Sequence, residues 1–484
     1  MDVGKLVRTW GAVLAFGLGA FGAFTAAGRS DTDVVSTEAV AYELEPATPL
    51  LSARRLPLTI QAPVVDEQVE PLLRQAVGES PAATCLRVQV GGRVLGPTAN
   101  EQVGLVPASN QKILTTYAAL RLLGDDFRFT TRVAADNPVV DGVLDGDLYL
   151  IGSGDPFLTT EDWWLQYDET EGRFHTRMED LADRIAATGL LTVTGGIIGD
   201  ETLFDDARTG PWAERLVAQK QSGPLSALTV NEGFVDWPSV TNGAARQRSE
   251  TNNPPVHAAS VLRRLLVERG ITIDGGDSAG QAPSTAVTVA SVQSPEMTDI
   301  ATHINSYSSN IGAELVLKRI GVEESNNGST AAGAGAMLGL LRADGLPVEG
   351  LVLEDGSGLA ETNRLTCRLV AALLATTGPD SNLAESLSIG AERGSLLTRF
   401  VDTPAARGVL AKTGSLQGVS SLSGYVRSST RDGVWLVFSY IANEDFINGA
   451  TVRDLQDALV VGLTEYPGSP TLPELSPLPP LAGG

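Results

Sequence analysis

Cysteine and histidine are scarce in this chain of 484 residues, and their scarcity excludes several kinds of site. The two cysteines, Cys85 and Cys367, lie far apart and form no C-x-x-C, so they predict neither a zinc site nor a disulfide framework. Pairing in an oxidising compartment and burial as free thiols both stay open. The three histidines show no H-E-x-x-H or other ligand spacing. No metal or other cofactor is therefore expected.

Positive charge is also in short supply. The chain has 35 basic and 58 acidic residues and a net charge of −23, which argues against nucleic acid as a partner. The basic residues are nearly all arginine, and the lysines are Lys5, Lys112, Lys220, Lys318 and Lys412. Arginine is not deprotonated in proteins, so it could not replace a lysine that serves as a catalytic base.

The N-terminal residues 1–28 indicate export. Lys5 and Arg8 precede an uncharged, apolar run from Thr9 to Gly28 that is just long enough to span a bilayer. A cleaved signal peptide ending near Ala27 and an uncleaved membrane anchor are both compatible with it. In either case we expect the rest of the chain at the outer face of the cytoplasmic membrane, in the periplasm or in the cell wall.

The remaining sequence divides into four parts by composition and periodicity. Residues 29–58 are acidic and aperiodic, and we expect a linker there. Residues 59–128 and 295–466 have similar patterns of helices and strands, whereas residues 129–294 consist of short mixed α and β elements. Residues 467–484 form a proline-rich tail. The division predicts a discontinuous domain with a mixed α/β domain of residues 129–294 inserted into it.

Helices and strands follow from the patterns within these parts. Predicted strands at Val409–Thr413, Val419–Val426 and Val434–Ile441 indicate an antiparallel sheet. Helices are predicted at Met297–Asn305, Ile311–Ile320, Thr330–Ala343, Arg368–Thr377 and Asp454–Leu463. Single strands are predicted in the insert at Arg128–Ala134, Leu144–Ile151 and Leu191–Ile198.

One predicted helix, from Pro107 to Gly124, carries a serine and a lysine in its first turn. Ser109 and Lys112 are three residues apart, so their side chains lie on one face. A serine beside an amine is an activated nucleophile in many enzymes. Taken alone, however, the pair is better interpreted as an N-cap and a solvated lysine.

Two later stretches change that interpretation. Ser308-Ser309-Asn310 leads into a predicted helix, and Lys412-Thr413-Gly414-Ser415 ends a predicted strand. Ser-x-x-Lys, Ser-x-Asn and Lys-Thr-Gly, in this order, are the signature of serine β-lactamases and penicillin-binding proteins. Each motif is weak by itself, but all three in order on the expected elements are a strong signal.

From about Thr59 to Leu463 the chain resembles the D-alanyl-D-alanine carboxypeptidase/endopeptidase family, the class C low-molecular-mass penicillin-binding proteins. Besides the three motifs, Gly146–Pro156 and Asp355–Leu359 are similar to landmarks of that family. The resemblance implies an α+β fold: a serine β-lactamase-like transpeptidase domain with an antiparallel sheet flanked by helices, and a domain inserted between the first and second motifs. The stretch from Asn231 to Pro254 is short, so a third domain nested in the insert is expected to be largely absent.

The resemblance also implies roles for the motif residues. Ser109 would be the nucleophile, and Lys112 its base if burial and the charge of Lys412 lower its pKa. Ser308 would relay a proton to the leaving amine, and Asn310 would hydrogen-bond Lys112 and the substrate amide. The substrate carboxylate would be bound by Lys412 and Thr413 of the Lys412-Thr413-Gly414-Ser415 segment, and the oxyanion by the backbone N–H groups of Ser109 and Ser415.

The expected function is hydrolysis of D-Ala–D-Ala bonds, and possibly of cross-links, in peptidoglycan stem peptides, with β-lactam antibiotics as acylating inhibitors. Two alternatives stay open. One is a serine β-lactamase, against which the long insert argues. The other is a catalytically idle protein that binds the cell wall, against which the intact Ser109, Lys112 and Lys412 argue.

Overall fold

A computed structural model describes residues 58–167, 174–236, 240–241, 244–245, 248–445 and 448–468. The expected signal or anchor at residues 1–28, nearly all of the expected linker and all but the start of the proline-rich tail lie outside the described residues. Within the described residues, no helix combines the length and the apolar character needed to cross a membrane.

The described elements are numbered in chain order. The strands are β1 Ala83–Val90, β2 Arg93–Ala99, β3 Thr130–Ala135, β4 Val139–Val140, β5 Val143–Leu144, β6 Leu148–Ile151, β7 Leu158–Thr159, β8 Thr176–Arg177, β9 Thr192–Val193, β10 Ile197–Asp200, β11 Val240–Thr241, β12 Ala244–Ala245, β13 Thr272–Ile273, β14 Ser278–Ala279, β15 Val287–Gln293, β16 Ser388–Ile389, β17 Val409–Leu416, β18 Val419–Arg427 and β19 Trp435–Asn443. The α-helices are α1 Leu58–Gly78, α2 Gln111–Leu122, α3 Glu161–Trp164, α4 Met178–Ala186, α5 Glu214–Ala218, α6 Pro254–Glu268, α7 Met297–Ser306, α8 Asn310–Ser325, α9 Thr330–Ala343, α10 Cys367–Thr377, α11 Asn382–Ser386 and α12 Gly449–Leu463.

The larger sheet has six strands in the order β16-β17-β18-β19-β1-β2, and every neighbouring pair is antiparallel. This confirms the antiparallel sheet predicted from the C-terminal strands. Strands β18 and β19 are buried along almost their whole length. β19 appears in the sequence as a nearly continuous apolar run, whereas β18 also buries Ser420, Ser421 and Ser423. Both faces of the sheet are therefore covered.

Helices cover the two faces with separate apolar clusters. On one face, Ile113 and Tyr117 of α2 pack in a cluster with Val316 and Ile320 of α8, together with the sheet residue Ile441. On the other face, side chains of α1 and α12 pack against alternate residues of the same strands, such as Leu422 and Phe438. The sheet is thus the middle layer, and the helix that carries Ser109 and Lys112 is packed against one side of it.

The ends of the helices are set by side chains that cap them. Ser309 Oγ accepts a hydrogen bond from the backbone N–H of Gly312, and α8 begins at Asn310, directly after this cap. At its other end α8 runs past the predicted Ile320 to Ser325 and stops where Asn326 adopts a left-handed conformation. Thr366 caps α10 in the same way as Ser309 caps α8.

Residues 130–293 build a second, five-stranded sheet in the order β14-β10-β6-β3-β15, in which β14, β10 and β6 are parallel. Helices α4 and α6 pack on it through apolar residues such as Leu181, Ile185 and Leu262. The expected insert, residues 129–294, begins just before β3 and ends just after β15, and these two strands pair with each other. We propose that these elements are the inserted domain.

The single strands predicted at Leu144–Ile151 and Leu191–Ile198 are wrong, because each is two strands. β5 and β9 pair in a four-stranded sheet, whereas β6 and β10 pair in the five-stranded one. The chain passes from one sheet to the other at the turn between β5 and β6 and again at the turn between β9 and β10. The two turns are joined by a hydrogen bond, in which Asp147 Oδ1 accepts the N–H of Gly196 at 2.7 Å. Asp145-Gly146 and Gly195-Gly196 mark the two turns in the sequence, and the predicted single strands overlooked these signals.

Cys85 and Cys367 form a disulfide, with their Cα atoms 5.9 Å apart. This resolves the two possibilities that the sequence left open. The bond joins β1 to the first residue of α10 across a sequence separation of 282, and both cysteines are fully buried. It therefore ties the sheet to a helix on the face where α2 packs.

We expect that replacing both cysteines (Cys85→Ala with Cys367→Ala) lowers the free energy of unfolding by about 2–5 kcal/mol, because the cross-link closes a long loop in the unfolded chain. Urea unfolding with and without a reductant measures this. The reductant should destabilise the wild type and leave the double variant unchanged. Identical curves for the fully reduced and oxidised wild type would contradict the expectation.

Candidate active site

Ser109 lies in a short 3-10 turn, Ala108–Asn110, that leads directly into α2. Its side chain makes no capping hydrogen bond, so the interpretation of Ser109 as an N-cap is wrong. Ala108, just before it, has a left-handed backbone with φ 48°, and so does Ser308 with φ 59°. Such conformations cost about 1–3 kcal/mol each and cluster at functional sites.

Lys112 is fully buried, and its Nζ has three oxygen neighbours. It is 3.0 Å from Ser109 Oγ, 2.7 Å from Asn310 Oδ1 and 2.7 Å from the carbonyl oxygen of Ser357. A neutral amine has two N–H donors and one lone pair. It satisfies this arrangement by donating to Asn310 and Ser357 and accepting the hydroxyl proton of Ser109.

Burial lowers the pKa of Lys112 to about 7, although Asp355 and Glu314 act to raise it. Burial, followed by the charge of Lys112, lowers the pKa of Lys412 well below its usual value. The two amines therefore repel each other when both are charged, and the expected contribution of Lys412 to the low pKa of Lys112 stays a prediction.

The second motif connects the segment around Gln221 to the amine of Lys112. Asn310, the first residue of α8, uses its side-chain oxygen for Lys112 and donates from Nδ2 to the carbonyl oxygen of Gln221 at 2.6 Å. Ser308 lies two residues earlier, where its Oγ accepts a hydrogen bond from Lys412 Nζ at 3.0 Å. The second motif therefore contacts both of the other motifs.

The third motif lies inside β17 rather than at its end. The strand was predicted to end at Thr413, but it continues to Leu416. Lys412 is fully buried and also donates to the carbonyl oxygen of Thr413 at 3.0 Å. The hydroxyl of Thr413 donates to Ser395 Oγ at 2.8 Å. Pairing with β18 over the whole length of β17 holds the motif in register.

Gly414 allows the strand to approach the nucleophile turn. A Cβ atom at this position would lie 3.0 Å from the backbone nitrogen of Ser109 and 2.8 Å from the carbonyl oxygen of Pro107. Any side chain here would push the strand away from Ser109. The backbones of Ser109 and the third motif are thus adjacent, as an oxyanion site between Ser109 and Ser415 requires; that site stays a prediction.

Sequence reasoning assigned no role to the groups behind Lys112: it noted Asp355–Leu359 only as a family landmark and did not note Glu314 at all. Glu314 Oε1 accepts the backbone N–H groups of Gly356 and Ser357, at 3.1 and 2.8 Å, and so fixes the carbonyl that meets Lys112. Buried Asp355 accepts the N–H groups of Gly358 and Ala360. Glu314 is four residues after Asn310 on one helix, and this spacing was a usable signal. Nothing in the sequence pointed to Gln221 or Ser395.

A cavity of about 320 Å³ opens beside Ser308 and Asn310. Its wall includes the ion pair of Arg248 with Glu232, 2.9 Å apart, and the backbone near Gln221, so the insert supplies part of it. Among the described residues, no group of three or more His, Cys, Asp or Glu side chains is arranged to hold a metal ion.

Comparison with known proteins agrees with this geometry. The D-Ala-D-Ala carboxypeptidase 3 (S13) family model matches residues 97–255 and 238–466. A D-alanyl-D-alanine carboxypeptidase of Actinomadura sp. (strain R39) is 31% identical over 438 residues, which cover 75% of this chain and 78% of that protein. Carboxypeptidase DacB of Mycolicibacterium smegmatis is 29% identical over 377 residues, covering 75% and 76%.

The fold has solved counterparts as well. The crystal structure of penicillin binding protein 4 from Haemophilus influenzae superposes with a TM-score of 0.68 at 19% sequence identity, and covers 81% of this chain and 99% of that one. The sheet, the helices and the order of the three motifs are those expected from the sequence. The chain belongs to the D-Ala-D-Ala carboxypeptidase 3 (S13) family of serine-type peptidases.

Proposed function

We propose that this protein hydrolyses the D-Ala–D-Ala bond of peptidoglycan stem peptides through an acyl-enzyme at Ser109. The observation that supports it most directly is the fully buried amine of Lys112, 3.0 Å from Ser109 Oγ. Among the described residues, no carboxylate forms an ion pair with Lys112. A buried lysine with a purely structural role would be expected to have such a partner. Lys112 is in the position of a general base.

The reaction then follows from the positions of the three motifs. Ser109 Oγ attacks the carbonyl carbon of the penultimate D-Ala while its proton passes to Lys112. The tetrahedral oxyanion is bound by the backbone N–H groups of Ser109 and Ser415, each such donor being worth about 3 kcal/mol of barrier. Ser308 gives its hydroxyl proton to the leaving amine and receives in return the proton that Lys112 took from Ser109, so terminal D-Ala departs as the free amine and Lys112 is neutral again. Water then attacks the ester with Lys112 as base, and the proton returns to Ser109 Oγ as the acyl group leaves.

Lys412 and Thr413 bind the terminal carboxylate of the substrate in this proposal. Both present N–H or O–H donors near Ser308 and Ser395. A β-lactam carries a carboxylate in the corresponding position and acylates Ser109 by the same attack. One solved relative of this fold, penicillin binding protein 4 of Haemophilus influenzae, was crystallised with a β-lactam.

Peptidoglycan lies outside the cytoplasm, so the protein acts there. The Cys85–Cys367 disulfide fits an oxidising, extracytoplasmic compartment. We propose that residues Thr9–Gly28 direct the export; whether they are cleaved or stay as an anchor is a question that an intact-mass measurement of the exported protein answers.

We expect Ser109→Ala to abolish labelling by a fluorescent penicillin and to lower D-Ala release from a D-Ala–D-Ala peptide by about 10⁴-fold or more, since the nucleophile is lost. The wild type should form a long-lived penicillin adduct at Ser109. Rapid penicillin turnover would favour the β-lactamase alternative, and absence of any adduct would favour the idle wall-binding protein. Retained labelling in the variant would refute the assignment of Ser109.

The pH dependence of acylation should report Lys112. Because Lys112 is a base only when neutral and its pKa is about 7, the second-order rate constant for acylation by penicillin should fall about tenfold per pH unit below pH 7 and level off above it. Lys112→Arg keeps the charge but is never neutral, so its acylation should be at least about 10²-fold slower at every pH. A flat profile between pH 5 and pH 8 would contradict this role.

Lys412→Ala should weaken recognition of the substrate carboxylate. A hydrogen bond to a charged group is worth about 1.5–3 kcal/mol, so kcat/KM for the free-acid peptide should fall about 10- to 100-fold. The same peptide with a C-terminal amide is the control, because it lacks the carboxylate and should lose much less. Equal losses on both peptides in a variant with unchanged Tm would exclude this role for Lys412.

A further inference from the structure

A second cavity, of about 560 Å³, lies away from Ser109 at one edge of the five-stranded sheet. Strands β6 and β10 are parallel and end in its wall at Ile151 and Asp200, and Arg319 of α8 forms the opposite side. Ligands of open sheets with parallel strands commonly bind beyond the carboxyl ends of the strands. The cavity occupies that place in the fold.

Three arginines line this cavity in a chain where basic residues are outnumbered: Arg128, Arg132 and Arg319. Arg128 is oriented by a hydrogen bond from Nη1 to the carbonyl oxygen of Ser294 at 2.9 Å. The guanidinium of Arg319 lies over the ring of Phe127, 5.2 Å from its centre. Arg132 makes no ion pair with any described residue. Arg128 and Arg132 come from the start of β3 and the residues just before it, and Arg319 comes from α8.

Three carboxylates face the same groups. Glu296 pairs with Arg128 at 2.6 Å and Glu323 with Arg319 at 3.0 Å, but these glutamates are 45% and 47% exposed, and exposed pairs contribute little. Asp200 is occupied by three donors of its own: the N–H and hydroxyl of Thr202 and the N–H of Ala282. None of these contacts prevents the arginines from binding an incoming anion.

Two buried polar atoms in the wall have no hydrogen-bond partner among the described residues. They are Ser153 Oγ, in the loop after β6, and Arg319 Nε. A buried donor without an acceptor is uncommon and calls for a ligand or a water molecule. Both atoms are donors, and both belong to residues that line the cavity. The wall is therefore rich in hydrogen-bond donors, and an oxygen anion is the ligand that its guanidinium groups bind most strongly.

We propose that this cavity binds a carboxylate of a peptidoglycan stem peptide that is not the one being cleaved, which makes it a second, non-catalytic substrate site. This inference rests on the proposed function, since it takes the polymer on which the enzyme acts as the ligand. The net charge of −23 repels a densely charged phosphodiester polymer, whereas an isolated carboxylate experiences chiefly the local arginines.

Helix α8 connects the two sites. Asn310 begins it and Arg319 lies nine residues later, about 14 Å along the axis and on the opposite side of the helix. The side chain of Asn310 points to Lys112 and that of Arg319 to the second cavity. A peptide in the second cavity therefore does not compete for the catalytic site. It would hold the polymer near Ser109 between cleavages.

Calorimetric titration of the Ser109→Ala protein with a stem tetrapeptide tests the proposal, because this peptide lacks the terminal D-Ala and is not cleaved. We expect two peptides per chain. Adding Arg132→Gln and Arg319→Gln should remove one of them or weaken it at least about tenfold, as expected for lost charged hydrogen bonds. Arg427→Gln, an exposed arginine on β18, is the matched control and should change nothing.

Three outcomes would overturn the second site: an unchanged second binding event in the arginine double variant, equal binding of the peptide with amidated carboxylates, or preferential binding of a phosphodiester polymer. Failure of the proposed function looks different, since it shows as absent D-Ala release and absent penicillin labelling in the wild type. With Ser109 intact, the arginine double variant should be acylated by penicillin at the wild-type rate.

Discussion

The site depends on the burial of one amine. Lys112 is enclosed completely, yet its three oxygen neighbours come from three parts of the chain: Ser109 in the turn before α2, Asn310 at the start of α8 and the carbonyl of Ser357. An unpaired buried amine is costly to charge, so the environment favours the neutral form. Each contact also fixes a segment relative to the others. The geometry around Lys112 therefore depends on how α2, α8 and the Ser357 loop pack together.

The insert is part of that constraint. The carbonyl of Gln221 holds Asn310 from the side opposite Lys112, and the indole N–H of Trp212 reaches buried Asp355 at 3.1 Å. Both Gln221 and Trp212 precede α6 in the segment that we propose as an inserted domain. A change in this segment can therefore alter the orientation of the second motif without touching Ser109.

The sequence predicted the chemistry better than the architecture behind it. The three motifs, their order and the antiparallel sheet follow from residue types and short spacings, and the structure brings Ser109, Lys112, Ser308, Asn310 and Lys412 together. What could not be predicted depends on long-range pairing. The carbonyl of Gln221 is a backbone group with no sequence signature, the disulfide depends on which thiols meet, and the split of β5 from β6 depends on which sheet each strand joins.

The site holds two lysines close together, and their hydrogen bonds explain how it avoids placing two positive charges side by side. Lys412 donates to Ser308 Oγ and to the carbonyl of Thr413, which uses the two N–H groups of a neutral amine. Its pKa is low because it is buried and because Lys112 is near. In the mechanism that we propose, a bound substrate carboxylate supplies the missing countercharge and so favours the protonated form of Lys412, with its third N–H for the carboxylate. Lys112 has no such partner in the proposed complex and is left to act as the base. Both side chains are fully buried, so the proposed difference between them comes from the substrate carboxylate, which meets only Lys412.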